Sequence, residues 1–286
     1  MSEFLLSVAR LAMLVFLLAT MLGVGLSLTL SQIIAPLRNM RLITAALLAN
    51  FVVVPLIAVG IAKLFRLDQS FAAGLLLLGL APGPPFLPKL VELARGDLAF
   101  SVGLMVLLML GSAVYLPVVL PRLLPGVEIA VWPIARPLLF LMVFPLVAGL
   151  ACRARFERFT PKVRPWLSWV SNLALAIVVM LVVGLNLPSV LKVFGTGAIG
   201  AGILFTALAG LAGLLLGGPL MATRKVMTLG TGFRNIAAAL VVGEEDFRDP
   251  QVIVMLVVAA LAGLFLLIPI TLAWSRRPAV VPLLAP

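Results

Sequence analysis

The sequence contains no histidine and a single cysteine, Cys152. Without histidine the chain lacks the usual proton relay at neutral pH and the most frequent zinc ligand. One cysteine excludes an intrachain disulfide and a cysteine-based metal cluster. Charged residues make up only 11% of the chain, and they form no catalytic triad, nucleotide-binding loop or hydrolytic acid pair. The sequence therefore predicts a protein that is not an enzyme and that holds no organic cofactor.

Apolar residues dominate the chain instead. They make up 63% of its 286 residues, and the mean hydropathy is +1.26. Apolar runs of about 20 residues, the length of a membrane-spanning helix, recur throughout. Barrel strands are about 10 residues long and alternate in polarity, so a barrel is excluded. The net charge of +11 comes from short loops, where membrane topology explains it without nucleic acid. We predict an all-α integral membrane protein.

Nine transmembrane helices are predicted, at residues 8–30, 42–62, 70–94, 98–120, 132–152, 165–187, 196–218, 222–243 and 250–274. With the N-terminus outside, the inner loops hold thirteen of the 21 basic residues and three acids. Inner loops of membrane proteins carry such an excess of lysine and arginine. The pattern therefore predicts a plasma (inner) membrane protein with an outer N-terminus and a cytoplasmic C-terminus.

The first four and the last four spans form comparable sets, a first repeat over 8–120 and a second over 165–274. In each set the third span is interrupted, and the two interrupted spans run in opposite directions. Helix 132–152 connects the repeats within a single domain over 1–286. Matching interruptions in inverted repeats are the best sequence pointer to a transporter's binding site.

The first interruption covers residues 81–88, where four prolines remove backbone donors and clash with a continuing helix. The second covers 230–235, where Gly230 and Gly232 permit unusual dihedral angles and Asn235 is suited to cap the restarting helix. Each restarting half-helix begins near the membrane centre. Its free N–H groups and partial positive charge favour an anion there.

Each interruption also carries a cation, Lys89 or Arg234. A cation within a membrane span is costly and marks a functional hypothesis by default. Arg234 either meets the carboxylate of a substrate or forms a structural pair. Lys89 either faces a cavity or reaches the inner surface and pairs with Glu92, three residues further along its helix. Asn50 receives more weight than most other polar residues within the spans.

Several motifs resemble the bile acid:sodium symporter family. Pro82-Gly83, the run Leu-Ala-Arg-Gly-Asp at 93–97 and the run Ala-Phe-Ser-Val at 99–102 are similar to that family's fourth and fifth helices. Residues 23–28 resemble its early glycine-rich helix, Asn50 with Pro55 falls where it has Gln with Pro, and residues 232–235 fall on its second break.

The resemblance implies a panel domain of spans one, five and six, and a core domain of the other spans in which the two broken helices cross. Movement of one domain against the other would give alternating access. At the crossing, Asn235 and the backbone around Gly83, Pro85 and Phe86 would contact the substrate. Arg234 would supply the countercharge, with Lys89 as a second candidate.

The chain departs from the family at the side chains that the resemblance assigns to two sodium sites. The expected Ser-Asn pair is Leu87-Pro88, the threonine after Ser101 is Met105, the expected glutamate is Gly230 and the expected glutamine is Arg234. Sodium needs oxygen ligands, and only Asn50, Ser101 and Asn235 remain to supply them from side chains. These departures argue against sodium coupling and favour a guanidinium in the place of the cation.

The sequence thus predicts a secondary transporter that moves a small organic anion across the lipid bilayer. Two alternatives fit the same departures. One is an uncoupled facilitator or channel for organic anions, and the other is a non-transporting membrane sensor or scaffold with the same fold.

Overall fold

The computed structural model describes residues 2–123, 132, 136, 139–156, 158, 160–247 and 249–276. These residues form helices and connecting turns, with no strand among them. The helices are α1 (Ser2–Ser27), α2 (Leu30–Leu37), α3 (Met40–Leu48), α4 (Val54–Leu64), α5 (Gln69–Gly79), α6 (Leu87–Leu93), α7 (Leu98–Leu123), α8 (Phe144–Arg155), α9 (Thr160–Lys192), α10 (Ala198–Leu216), α11 (Met221–Gly232), α12 (Ile236–Asp246) and α13 (Pro250–Arg276). A π-helical turn, Ala49–Val53, joins α3 to α4, and a second, Leu139–Val143, precedes α8.

Six helical stretches are long and apolar enough to cross a membrane. They are Ser7–Ser27, Met40–Leu64, Leu98–Leu116, Thr160–Leu181, Ala198–Leu216 and Pro250–Arg276. They fall on six of the predicted spans, which confirms a multi-pass helical membrane protein. The count of nine stays a prediction, because much of residues 132–138 lies outside the described residues. Each interrupted span is moreover built from two shorter helices.

The two interruptions lie where the sequence places them. α5 ends at Gly79 and α6 begins at Leu87, so the prolines between them occupy a non-helical turn. α11 ends at Gly232 and α12 begins at Ile236. Proline acts locally, through its missing N–H group, and this makes the first break predictable from sequence. At the second break Gly230 and Gly232 belong to α11 and neither has a positive φ, so the unusual glycine dihedral angles expected there are not found.

Helix α2 is an addition to the predicted elements. The hydroxyl of Thr29 accepts a hydrogen bond from the Gln32 N–H at 3.3 Å, and the Gln32 side chain accepts one from the Thr29 N–H at 2.9 Å. This reciprocal capping arrangement starts a helix in a segment that otherwise looks like a loop.

The helices pack in two groups. α1 contacts both α8 and α9, and we call these three the panel helices. α3 to α7 and α10 to α13 form the second group, the core helices. Within the panel, α1 and α8 approach closely at Gly25 and Gly149, and Thr20 shares a 2.6 Å hydrogen bond with Ser171 of α9. Small residues and hydroxyl groups are the usual means of joining helices in lipid.

The core helices are also tied together at their ends. The Lys225 ammonium of α11 donates to the Ala94 carbonyl, at the end of α6, at 2.7 Å. The Asp249 carboxylate, next to α13, accepts hydrogen bonds from the Ser70 hydroxyl and the Gln251 N–H. These two hydrogen bonds lower the pKa of the Asp249 carboxyl from its ordinary value.

The close contact between Gly25 and Gly149 limits the size of the side chain that these positions can hold. A Cβ atom on Gly149 would lie 2.9 Å from the Gly25 Cα atom, so Gly149→Ala should force α1 and α8 apart. Overpacking of this kind costs about 1–3 kcal/mol. We expect a lower melting temperature of the purified protein in detergent. Gly60→Ala, where a Cβ atom meets nothing within 4 Å, is the control and should not lower it. Equal melting temperatures for both variants would contradict the close contact.

Candidate functional site

The two interruptions contact each other, and we call the place where they meet the crossing. The Asn235 N–H donates to the Ala81 carbonyl at 2.8 Å. The rings of Phe86 and Phe233 meet edge to face, with centroids 5.2 Å apart. One polar and one aromatic contact therefore join the break of one repeat to that of the other.

The first break depends on Gly83. Its φ is +84°, in the region that L side chains rarely adopt, and an added Cβ atom would lie 2.9 Å from the Met109 nitrogen of α7. The adjacent Pro82 carbonyl accepts a 2.9 Å hydrogen bond from the Ser112 hydroxyl, also on α7. Helix α7 thus supports the turn from behind.

Arg234 is buried at this crossing, and oxygen atoms surround its guanidinium. Nε donates to the Leu78 carbonyl at 3.2 Å, and one terminal nitrogen donates to the Asn50 Oδ1 at 2.7 Å. The other terminal nitrogen donates to the Gly79 carbonyl at 2.6 Å and to the Asn50 carbonyl at 3.4 Å. We call these four oxygens the oxygen cage. No carboxylate of the described residues lies within 4.0 Å of the guanidinium.

The end of α5 supplies two oxygens of the cage because its helix stops there. In a longer helix the Leu78 carbonyl would accept from residue 82, which is a proline without an N–H. The Gly79 carbonyl is among the last of the helix and also lacks its usual partner. The C-terminal end of a helix carries partial negative charge, which favours a cation. Arg234 therefore fits the electrostatics of α5.

The π-helical turn supplies the other two oxygens. There the Val54 N–H donates to the Ala49 carbonyl, which leaves the Asn50 carbonyl without its usual helical donor. The Asn50 amide is held by a 3.0 Å hydrogen bond from its Nδ2 to the Ala46 carbonyl, so that Oδ1 faces Arg234. Such π-helical turns occur often at functional sites.

Tyr115, the single tyrosine of the chain, completes this region. Its hydroxyl donates to the Phe51 carbonyl at 2.6 Å. In a regular helix that carbonyl would accept from residue 55, which is Pro55 and has no N–H. The tyrosine therefore replaces a backbone donor that proline removes.

Asn235 combines two roles. Its Oδ1 accepts a hydrogen bond from the Ala238 N–H at 3.1 Å and caps α12, as the sequence predicts. Its Nδ2 is buried and has no hydrogen-bond partner among the described residues. A buried donor without a partner costs about 1–3 kcal/mol. An acceptor on a bound molecule would remove this cost.

Lys89 lies apart from Arg234, in a cavity between the panel helices and α6. The cavity is small and partly open to solvent. Its polar lining consists of Thr20, Ser27, Lys89, Glu92, Ser168 and Ser171. The Lys89 ammonium forms a 3.0 Å ion pair with Glu92, the partner that the helix spacing predicts. The predicted pairing with Glu92 is thus observed for a lysine that also lines the cavity, and its part in substrate binding stays a prediction.

The structure therefore distributes the predicted site residues over three places. Arg234, Asn235, Asn50, Gly83, Pro85 and Phe86 belong to the crossing or its turns, Lys89 belongs to the cavity, and Ser101 lies in the first turn of α7. There the Ser101 hydroxyl donates to the Leu98 carbonyl at 2.7 Å. The roles assigned to these residues in substrate and ion binding stay predictions.

Several residues of the site carry no distinctive sequence signal. Tyr115, Ser112 and the cavity hydroxyls look like ordinary helix contacts in the sequence. The position of Pro55, four residues after Phe51, is the signal that could have prompted a search for a replacement donor such as Tyr115.

The described residues contain no group of three or more histidine, cysteine, aspartate or glutamate side chains that could hold a metal ion. Leu87 and Met105, at two of the expected ligand positions, are fully buried. A Cβ atom on Gly230, at a third, would meet the Leu87 side chain at 3.3 Å. Apolar atoms thus occupy the region where the resemblance implies a sodium site.

Comparison with known proteins gives one family. The family model of the sodium bile acid symporter family matches residues 14–193. The chain is 25% identical over 239 residues to the probable sodium/metabolite cotransporter BASS1 of Arabidopsis thaliana chloroplasts, which covers 81% of this chain and 58% of the relative. It is 28% identical over 183 residues to the uncharacterized sodium-dependent transporter YocS of Bacillus subtilis, and this match covers 62% of this chain and 56% of the relative. The chain thus spans a little over half of the length of both relatives.

The Tyr115 contact gives a test of how the site is built. Tyr115→Phe keeps the ring contact with Phe51 and removes only the hydroxyl, so the Phe51 carbonyl loses its donor. We expect a loss of stability of about 1–3 kcal/mol, seen as a lower melting temperature. In a Pro55→Ala background, which restores a backbone N–H, the same substitution should cost less. An equal loss in both backgrounds would contradict the interpretation that the Tyr115 hydroxyl replaces the N–H that Pro55 lacks.

Proposed function

Because this chain belongs to the sodium bile acid symporter family, we propose that it is a secondary transporter that moves a small organic anion by alternating access. The observation that carries this proposal is the polar cavity between the panel helices and α6. Its lining combines hydroxyl groups with the ammonium of Lys89, which is only 5% exposed. A buried cation among hydroxyl groups offers an organic anion an ion pair and hydrogen bonds, and the two helix groups would have to separate to admit it.

The crossing supports the same substrate class. The Asn235 amide offers a buried N–H that lacks a partner among the described residues. It lies at the N-terminal end of α12, where the helix dipole is positive. The non-helical turn at Gly83, Pro85 and Phe86 faces the second break through the Phe86–Phe233 contact. We assign the substrate's polar groups to these positions.

In this proposal Arg234 does not bind the substrate directly. Four of its five N–H groups already donate to the oxygen cage. An all-oxygen environment is what a hard cation such as sodium requires. We therefore assign Arg234 the place and charge of a coupling cation, tethered to the chain. The matched relatives are named as sodium-coupled transporters, and this chain would differ from them in needing no sodium.

A fixed cation has a consequence for energy coupling. A carrier without a mobile coupling ion moves its substrate down the substrate's own gradient. The tethered guanidinium therefore favours the uncoupled facilitator over a sodium symporter. Saturable counterflow of substrate would distinguish such a carrier from a channel. A non-transporting scaffold would show neither counterflow nor a rise in melting temperature when carboxylates are added.

The proposal predicts anion uptake that does not depend on sodium. Purified protein in proteoliposomes should take up radiolabelled carboxylates from a panel between pyruvate and cholate. The rate should be the same with sodium or potassium as the salt. Arg234→Gln should lower it at least about tenfold, because cage oxygens would lose charge-assisted hydrogen bonds of about 1.5–3 kcal/mol each.

Arg10→Gln, an exposed change on α1, is the matched control and should transport normally. Melting temperatures of both variants separate lost function from lost folding. Sodium-dependent uptake that survives Arg234→Gln would overturn the assignment of Arg234.

A further inference from the structure

Glu92 of α6 contacts two cations from the two helix groups. Its Oε2 lies 3.0 Å from the Lys89 ammonium on the same helix. Its Oε1 lies 3.7 Å from the Arg164 guanidinium of α9, a panel helix. The three side chains differ in exposure, with Lys89 at 6%, Glu92 at 37% and Arg164 at 48%. The buried member of this group is thus the cation that lines the cavity.

A buried ammonium needs an anion beside it. Leaving one unpaired after its partner is removed costs about 3–5 kcal/mol. In the cavity of the described structure, the Glu92 carboxylate fills this need. A carboxylate substrate that entered the cavity would offer the same charge and the same kind of oxygen to Lys89. Glu92 and the substrate are therefore competitors for a single ammonium.

The two competitors differ in what they can do next. Glu92 is attached to α6 and is more than one-third exposed, so its side chain can leave Lys89 at low cost. Its second oxygen already lies near Arg164, which can hold the carboxylate after such a change. If a substrate displaced Glu92 from Lys89, the Glu92 carboxylate would pair with Arg164 of the panel instead. No charge would then be left unpaired.

We propose that Glu92 is a built-in substitute for the substrate's carboxylate, which neutralises Lys89 while the cavity is empty. This inference rests on the proposed function, since it concerns how that transporter returns without cargo. When the helix groups move, Lys89 is closed off from water and must be paired. The substrate pairs it in the loaded carrier, and Glu92 pairs it in the empty one.

The proposal separates two kinds of transport. Net transport requires the empty carrier to return, whereas exchange of substrate for substrate uses only the loaded carrier. In Glu92→Gln the empty carrier would hold an unpaired buried ammonium, so its return should be slow. The carrier with bound substrate should still change conformation. The variant should behave as an exchanger.

The test compares net efflux with exchange in one batch of proteoliposomes. Vesicles are filled with radiolabelled pyruvate or cholate, whichever the wild type carries, and are diluted into buffer with or without the same unlabelled compound. In Glu92→Gln we expect net efflux to fall at least about tenfold relative to wild type, the effect of about 1.4 kcal/mol on the barrier. Exchange should stay within about twofold, and the ratio of the two rates is independent of how much protein is active.

Asp68→Asn is the matched acid-to-amide control. Asp68 makes no side-chain capping hydrogen bond at the start of α5, and the variant should keep the wild-type ratio. Lys89→Gln combined with Glu92→Gln gives a second test that does not depend on the stability of the single variant. It removes the ammonium that needs a partner and with it a proposed substrate contact, so both rates should fall while their ratio returns to the wild-type value.

Equal losses of net efflux and exchange in Glu92→Gln would overturn the proposal, and so would an unchanged ratio. If the single variant does not fold, a low ratio in the double variant overturns it. A wild-type protein that carries neither compound would contradict the proposed function itself. A wild-type carrier whose Glu92→Gln variant keeps the normal ratio would contradict only this inference.

Discussion

The burial of the Arg234 guanidinium is the constraint on which the centre of this protein depends. A charged group inside the membrane is tolerated only when other groups compensate it. Here the four compensating oxygens come from the end of α5 and from the π-helical turn at Asn50, while the arginine comes from the second break. Three segments that are distant in sequence are therefore held in one arrangement. The acceptors of the arginine thus lie where the backbone departs from a regular α-helix, at the end of α5 and in the π-helical turn.

Lys89 poses the same electrostatic problem and has a different solution. Backbone carbonyls make up three of the four partners of Arg234, and they cannot leave without unfolding helix ends. The partner of Lys89 is a side-chain carboxylate that is partly exposed and lies near a second cation. One cation is thus fixed in place, and the other has a partner that can be exchanged. This difference is what connects the structure to the proposed transport of an anion without sodium.

The sequence predicts the features that depend on local chemistry. Prolines locate the first break, Asn235 marks the second as the cap of α12, and the spacing of Lys89 and Glu92 gives their pair. It does not predict where the Arg234 side chain points. From the sequence, the Arg234 side chain is expected at the positive N-terminal ends of the half-helices. In the structure it points to the negative C-terminal end of α5 instead. That direction depends on the crossing of two distant segments and on a π-helical turn, neither of which leaves a local pattern. The contact between Glu92 and Arg164 is of the same long-range kind.

The central claim is that a tethered guanidinium occupies the place of sodium, so that transport needs no coupling cation. The most direct measurement counts radioactive sodium and a labelled carboxylate taken up by the same proteoliposomes. We predict that the labelled carboxylate enters the vesicles while sodium uptake stays at the level of protein-free vesicles. Sodium that enters in a constant ratio to the carboxylate would contradict it.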